Sequence, residues 1–467
     1  MYKAQSKQVG ITNFGMPLGL KLDPENRWVK KAETIPWDAI EKRYAQLFES
    51  ETGNVAKPLR LALGALIIQT ERQISDAETP LQIQETPCLQ YFCGMPEYTD
   101  KLPFEASSMV HFRKRLTKEI LGEINDMIIA KAENKPAPPP PDDDEGKPAN
   151  EGTLTVDATC APQNIRYPMD LSLLNEAREN LEGMIDELHD SAEGEKPRTY
   201  RKRARKEYLN TAKKKKKTVK ELRRAIRKQL GYVKRDLGVV ERYLEKGKKQ
   251  SKQQSQRLET IRTLYEQQLE MFNSRTQRVD DRIVSLSQPW VRPIVRGKAK
   301  AKCEFGAKLD ISVANGFTRL EYSSFDAYNE SENLVKIIER YWAREGHYPE
   351  RVLADAIYRT AENLKYCNEH KIRLLGKPLG RPKKDAAANK ELKKQIRQDE
   401  SDRVEVERKF SHAKGAFGLG LIRTKLQGTS QSAIALSILA LNIAYAGRIL
   451  RALFRLCLRL NNVVVVQ

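Results

Sequence analysis

A chain of 467 residues is too long for one ordinary domain and long enough for two to four, and with 40% hydrophobic residues it can bury a sizeable core. Its net charge of +21 is concentrated, because residues 196–257 carry 25 Lys and Arg against 5 Asp and Glu, which favours a polyanion partner over a merely soluble basic protein. Membrane binding by this segment is not expected, since it lacks the Trp or Phe face of an interfacial helix; the six cysteines contain no CxxC pair, which argues against a disulfide framework or a zinc site and for reduced thiols in the cytoplasm.

The first residues, MYKAQSKQVG, lack the apolar stretch of a signal peptide. Residues 1–134 read as helical. The runs 37–48 and 58–73 place apolar residues three and four apart, Leu59, Leu63, Leu66 and Ile67 among them. Ser107 and Ser108 offer an N-cap ahead of the amphipathic run 109–129. Arg113, Lys114 and Arg115 on that run suit either a DNA-facing helix or a structural helix with a basic edge. Residues 135–150, rich in Pro and acidic side chains, cannot build a core and form a linker.

Thr153-Leu-Thr-Val-Asp157-Ala is short and β-branched, and reads as a buried strand ending in a carboxylate. Residues 171–290 then turn helical. Leu222, Ile226, Leu230, Val233, Leu237, Val240 and Leu244 form a coiled-coil-like stripe, and a second apolar run (Leu258, Ile261, Leu264, Leu269, Phe272) is placed to fold back on it. The lysine run 213–217, including Lys213, Lys214 and Lys215, is a candidate contact to phosphates. Strands resume over 302–313 and 317–322, joined by the hairpin turn Asn315-Gly316. A helix (331–345), a strand closing on Asp355, a helix (361–370) and a short strand (372–375) follow. Residues 376–385 read as a loop rich in Gly, Pro and Lys, and 401–416 as a helix. The C-terminal 429–460 is apolar. Its most apolar part, 433–446, is interrupted by Ser437 and Asn442, is short for a bilayer span, and reads as a buried helix.

Two acidic residues thus close apolar strands, Asp157 and Asp355. A carboxylate there is disfavoured unless something compensates it, and a divalent cation is one such partner. Either alone is weak evidence, because Asp is also a common turn residue. The third element is Arg403-Val-Glu-Val-Glu407, continuing to Lys414. On a helix Arg403, Glu407 and Lys414 fall at i, i+4 and i+11 and share a face, so one carboxylate can complete a metal site while the cations hold phosphate. An ordinary surface ion pair between Arg403 and Glu407 is the plainer alternative.

Asp after the first strand, Asp after the fourth, and a helix carrying Arg, three residues, Glu, six residues and Lys resemble the DDE transposases of bacterial insertion sequences, within them the insertion-sequence-five-type group. The runs Asp355-Ala-Ile-Tyr-Arg-Thr-Ala-Glu-Asn, Gly376-Lys-Pro-Leu-Gly-Arg381-Pro and Glu407-Arg-Lys-Phe-Ser-His-Ala-Lys carry the likeness. Two positions depart from the pattern. Glu400 stands where the family often has Tyr, and Glu405 lies two residues before Glu407, which the spacing to Arg403 and Lys414 favours. The resemblance implies an α/β architecture: an RNase H-like mixed-sheet catalytic core (151–170 and 291–428) with a large basic helical insertion after the first strand (171–290), an N-terminal all-helical DNA-binding domain (1–134) and C-terminal helices (429–467). It implies catalytic and metal-binding roles for Asp157, Asp355 and Glu407 toward two Mg²⁺ or Mn²⁺ ions. DNA contacts would come from Arg403, Lys414, Arg381, Lys213, Lys214, Lys215 and Arg113. The expected partners are double-stranded DNA, as terminal inverted repeats and target, and a second copy of the chain on DNA, in a bacterial cytoplasm beside the nucleoid. The rivals are a nuclease of the same fold without strand transfer, and a non-catalytic DNA-binding protein.

Overall fold

Residues 1–3, 10–48, 52–134, 149–295, 303–377 and 386–464 are described by a computed structural model. They divide into two units, one of Met1–Pro162, Lys308–Ser324 and Tyr328–Gln467, the other of Gln163–Ala307 and Phe325–Ala327.

The first unit opens with α1 (Arg27–Thr34), α2 (Trp37–Ala45), α3 (Leu59–Arg72), α4 (Glu78–Glu85), α5 (Pro87–Phe92), α6 (Ser108–Arg115) and α7 (Lys118–Glu133). Asn26 starts α1 by accepting a hydrogen bond from the Trp28 amide, and α3 begins just after Pro58. The run 109–129, expected as one helix, is two: Leu116 leaves the helical region (φ −84°, ψ 77°) and α7 restarts after Thr117. Ser107 already has helical dihedrals and makes no side-chain cap. Trp28, Tyr44, Leu63, Leu66, Ile67 and Phe92 form the core of these helices. Strand β1 (Thr153–Pro162) follows.

The second unit contains α8 (Asp170–Leu188), α9 (Arg201–Ala212), α10 (Val219–Glu245), α11 (Lys252–Ser274) and β2 (Arg292–Val295). Thr218 with Glu221, and Ser251 with Gln254, form reciprocal capping boxes that fix where α10 and α11 start. The expected stripe on α10 is buried within its own unit. Leu230, Val233, Leu237 and Val240 share a core with Ile261 and Leu264 of α11, and also with Leu174, Leu181 and Ile185 of α8, so three helices close it rather than two. Strand β2 was not anticipated; it is four residues long and includes Pro293.

Strand β3 (Cys303–Ala314) pairs at its start with β2 and, from Lys308, with β4 (Phe317–Ser324), both antiparallel. Asn315 and Gly316 both take positive φ, 51° and 78°, as a type I′ turn requires, and a Cβ on Gly316 would collide with the Tyr445 ring. Then come α12 (Leu334–Glu345), β5 (Arg351–Leu353), α13 (Ala361–Glu369), β6 (Arg373–Leu374), α14 (Ala386–Ala416) and α15 (Gln427–Val464). The first unit's sheet has the order β4-β3-β1-β5-β6, with β1, β5 and β6 parallel, making a mixed α/β fold. One face, with Leu154, Val156 and Val352, packs on Ile337, Ile338 and Tyr341 of α12. The stretch 433–446 lies inside the long helix α15, of which Gln427–Ala452 is, contrary to the expectation, long and apolar enough to cross a membrane by length and composition. Its apolar side chains are instead spent within the unit, where Leu436, Leu439 and Ile443 join the core of α1 to α7. Asn442, an interruption in the sequence, is a buried latch: its side chain accepts from the Thr318 amide and donates to Asn125 and the Thr318 carbonyl.

Candidate active site

Asp157 does not end its strand, as the sequence suggested, but sits at the middle of β1, whose ten residues run on to Pro162. What ends there is the parallel pairing. Thr155 is opposite Leu353 in the last register pair of β1 and β5, and two residues further along each chain stand Asp157 and Asp355. Asp355 lies two residues beyond the end of β5 in extended backbone (φ −68°, ψ 162°), where it caps the turn that follows, and its charge acts on Asp157. Each spends one oxygen locally: Oδ1 of Asp157 accepts from the Ala158 amide at 2.8 Å, and Oδ1 of Asp355 from the Ala356 amide at 2.6 Å.

Helix α14 brings the third carboxylate. Buried Asp399 accepts from Arg351 at the start of β5 and from Arg373 at the start of β6, which bolts the helix onto the strands. Arg351 also reaches Asp402 at 2.8 Å. One turn further, the Arg403 guanidinium lies 3.5 Å from Oδ2 of Asp157 and 3.2 Å from Oε1 of Glu407. Glu405 turns elsewhere. It lines a cleft of about 1000 Å³ with Thr155, Leu353, Ser401, Lys409 and Arg448. The structure therefore groups Asp157, Asp355, Arg403 and Glu407, and sets Glu405 apart.

One further acid, Glu330, acts on Asp157 and also on the neighbouring buried Asp310. Burial pushes the Asp157 carboxyl above its ordinary range; the Ala158 amide and Arg403 oppose the shift, while Asp355 and Glu330 add to it. Asp310, fully buried on β3, is pushed up to about 6 by burial, against hydrogen bonds from Asn333 (2.6 Å) and Tyr328 (2.8 Å) and the charge of Lys308, with Glu330 adding to the rise. Crowded carboxylates of this kind favour a compensating cation. Among the described residues no three Asp, Glu, His or Cys side chains close into a finished metal cage. By chemistry alone the carboxylate oxygens of Asp157, Asp355 and Glu407 are hard donors of the kind that Mg²⁺ or Mn²⁺ takes.

The other expected site residues scatter. Lys414 lines a different groove, with Gln69, Gln73 and Phe417, seven residues and roughly 10 Å along the helix from Glu407. Arg381 lies outside the described residues. Lys213, Lys214 and Lys215 are exposed in the turn between α9 and α10, with Lys214 paired to Glu221 at 2.6 Å. Arg113 corrects the expectation that it faces DNA. It is 5% exposed, and its guanidinium donates to both carboxylate oxygens of Asp76 and to Gln69 Oε1 at 2.6 Å, a structural pair holding α6 to the end of α3. The anchors Asp399, Arg351 and Arg373 went unread in the sequence; the one signal for them was an acid one turn before Arg403 on the same helical face.

Comparison with known families gives two matches. The transposase DDE domain matches residues 352–444, and the transposase domain (DUF772) matches residues 17–115. The chain is also 27% identical over 160 residues, 34% of its own length and 73% of the relative's, to an uncharacterized protein, ORF8 in the nfe locus, of Rhizobium meliloti. No solved structure matches it.

Proposed function

We propose that this chain, which carries matches to two transposase domains, is a DDE transposase of insertion sequences that cuts DNA at the ends of such an element and joins the freed 3′ ends to target DNA, using Asp157, Asp355 and Glu407. The observation that supports this reading is the register of β1 and β5, in which Asp157 and Asp355 each follow two residues after the last parallel pair, together with Arg403 of α14 reaching both Asp157 and Glu407. The strand order β4-β3-β1-β5-β6, an antiparallel hairpin beside parallel strands, supports an RNase H-like core.

Asp157 and Asp355 would hold the shared cation edge, and Glu407 would complete it from the helix. Divalent cations held by these carboxylates would supply Lewis acidity to the attacking and leaving oxygens. Arg403 is placed to orient a phosphate with a bidentate guanidinium. In the first step a water oxygen bonds to phosphorus as the P–O3′ bond breaks, leaving a 3′-OH and a 5′-phosphate. In the second, that 3′-OH attacks a target phosphodiester and displaces its 3′ oxygen, so no protein–DNA bond is formed. The exposed cations of α10, among them Arg224, Arg227, Lys234 and Arg242, suit a DNA backbone. Two element ends need two such sites held in fixed relation, for which a twofold pair of chains in the bacterial cytoplasm is the simplest arrangement.

The test is divalent-cation-dependent nicking and joining on a duplex carrying the element end. D157N, D355N and E407Q should each lose at least about 10³-fold in cleavage, as expected for a group acting only in the transition state, with unchanged circular dichroism; E405Q should remain active. An inactive E405Q beside an active E407Q overturns the third assignment. Cleavage without joined product restricts the chain to a nuclease, and cleavage by none of the proteins leaves a DNA-binding protein.

A further inference from the structure

Tyr358 closes the single helical turn (Ala356–Tyr358) that Asp355 caps, and its side chain is fully buried. The ring belongs to the apolar layer with Leu334, Ile338 and Val352. The hydroxyl is different. It has no hydrogen-bond partner among the described residues, and four carboxylates lie within its electrostatic reach: Asp310, Glu330, Asp157 and Asp355. A buried donor left unpaired destabilises the fold, and Phe would supply the same ring without that cost.

Two of the four acids are already engaged. Asp310 has a donor on each oxygen, Tyr328 on one and Asn333 on the other, and Glu330 is ion-paired with Lys308. Asp157 commits Oδ1 to the Ala158 amide and has Arg403 3.5 Å from Oδ2, whereas Asp355 commits Oδ1 to the Ala356 amide and keeps Oδ2 with lone pairs to accept another donor. A metal-binding carboxylate needs such a donor, because hydrogen bonds from the surrounding shell fix the orientation in which it binds.

We propose that Tyr358 is a positioning residue of the carboxylate site, its O–H donating to an oxygen of the Asp157–Asp355 pair when that pair binds a divalent cation. The proposal rests on the reading of this pair as a cation site. It separates two properties that a merely structural tyrosine would not separate: the hydroxyl adds nothing to the stability of the metal-free fold and contributes to cation affinity.

The experiment compares full-length wild type, Y358F and D157N by calorimetric titration with Mn²⁺ in the absence of DNA, and by melting in EDTA. Y358F should bind Mn²⁺ about 10-fold or more weakly, the usual effect of losing an outer partner of a ligand, while melting in EDTA at or above the wild-type temperature. Y358F that binds Mn²⁺ as wild type does, while D157N binds it poorly, overturns the role of the hydroxyl and leaves the carboxylate reading intact. Y358F that melts lower in EDTA with unchanged Mn²⁺ affinity makes Tyr358 a structural residue and also overturns the proposal. D157N that binds Mn²⁺ as tightly as wild type, or a wild type that binds none, overturns the carboxylate reading and the proposal with it.

Discussion

Asp236 on α10 is fully buried in the second unit, and neither of its carboxylate oxygens has a hydrogen-bond partner among the described residues. Burial pushes its carboxyl up to about 7; Glu182 adds to the rise, and Arg178, Arg235 and Arg201 oppose it. Those arginines do not rescue it, because Arg178 is committed to Glu182 and Asn175, and Arg201 to Asp186. In the unfolded chain an Asp titrates near 3.9. Between roughly pH 4 and pH 7 the folded state therefore keeps a proton that the unfolded state releases, so stability falls as pH rises through this window and is flat above it. A rise of about three pKa units corresponds to at most about 4 kcal/mol. Asp236→Asn keeps the shape and cannot ionise, and its amide can donate to Glu182. The variant should gain about 1.5 kcal/mol at pH 5 and about 4 kcal/mol at pH 8, the latter roughly 5–15 °C in melting temperature for a unit of this size. Calorimetric melts of the full chain at both pH values are the assay. An equal gain at pH 5 and pH 8, or a loss at pH 8, would refute the reasoning.

Three further outcomes test other parts of the structure. Arg113→Ala should cost about 2–3 kcal/mol by stripping Asp76 and Gln69 of their donor, while the folded variant keeps its DNA affinity; a folded R113A with weakened DNA binding would return Arg113 to the interface. Neutralising Lys213, Lys215 and Lys216 together should flatten the log–log salt dependence of DNA binding by about 0.9 for each phosphate that no longer meets a cation, and an unchanged slope would place this turn away from DNA. Light scattering of the complex with paired element ends should report two chains, and a competent complex with a single chain would rule that arrangement out.

Elements whose signals are local were legible. The α10 stripe, the Asn315-Gly316 turn and the strand before Asp355 were each set by periodicity or by residues that demand positive φ. Features that depend on distant partners were not. The run 109–129 keeps helical spacing across Leu116, so nothing in its pattern marks the break. Strand β2 is too short for alternation to register. Arg113 looks like any basic helix residue until Asp76 and Gln69, some forty positions away, are seen around its guanidinium. Asp157 was legible as a candidate and misplaced within its strand, because β1 continues past the point where β5 stops pairing with it. The carboxylate pair at the candidate site is thus a matter of register between two strands nearly two hundred residues apart.

The choice between Glu405 and Glu407 shows what a helix adds to such a pair. Each residue advances about 100° around α14, so these two acids flank Val406 on opposite sides. Val406 is fully buried, as is Ala413 seven residues on, and Asp399 seven before; together they mark the line along which α14 is packed. The phase of the helix is fixed by Asp399, which accepts from arginines on two neighbouring strands, and that phase decides which flank meets Asp157. Arg403 lies one turn beyond Asp399 on the Asp157 flank, and Glu407 one turn beyond Arg403, whereas Glu405 is carried to the side of Lys409 and the cleft. Spacing to Arg403 therefore discriminates between the acids for a physical reason: a step of four returns to the same flank, and a step of two crosses the buried line.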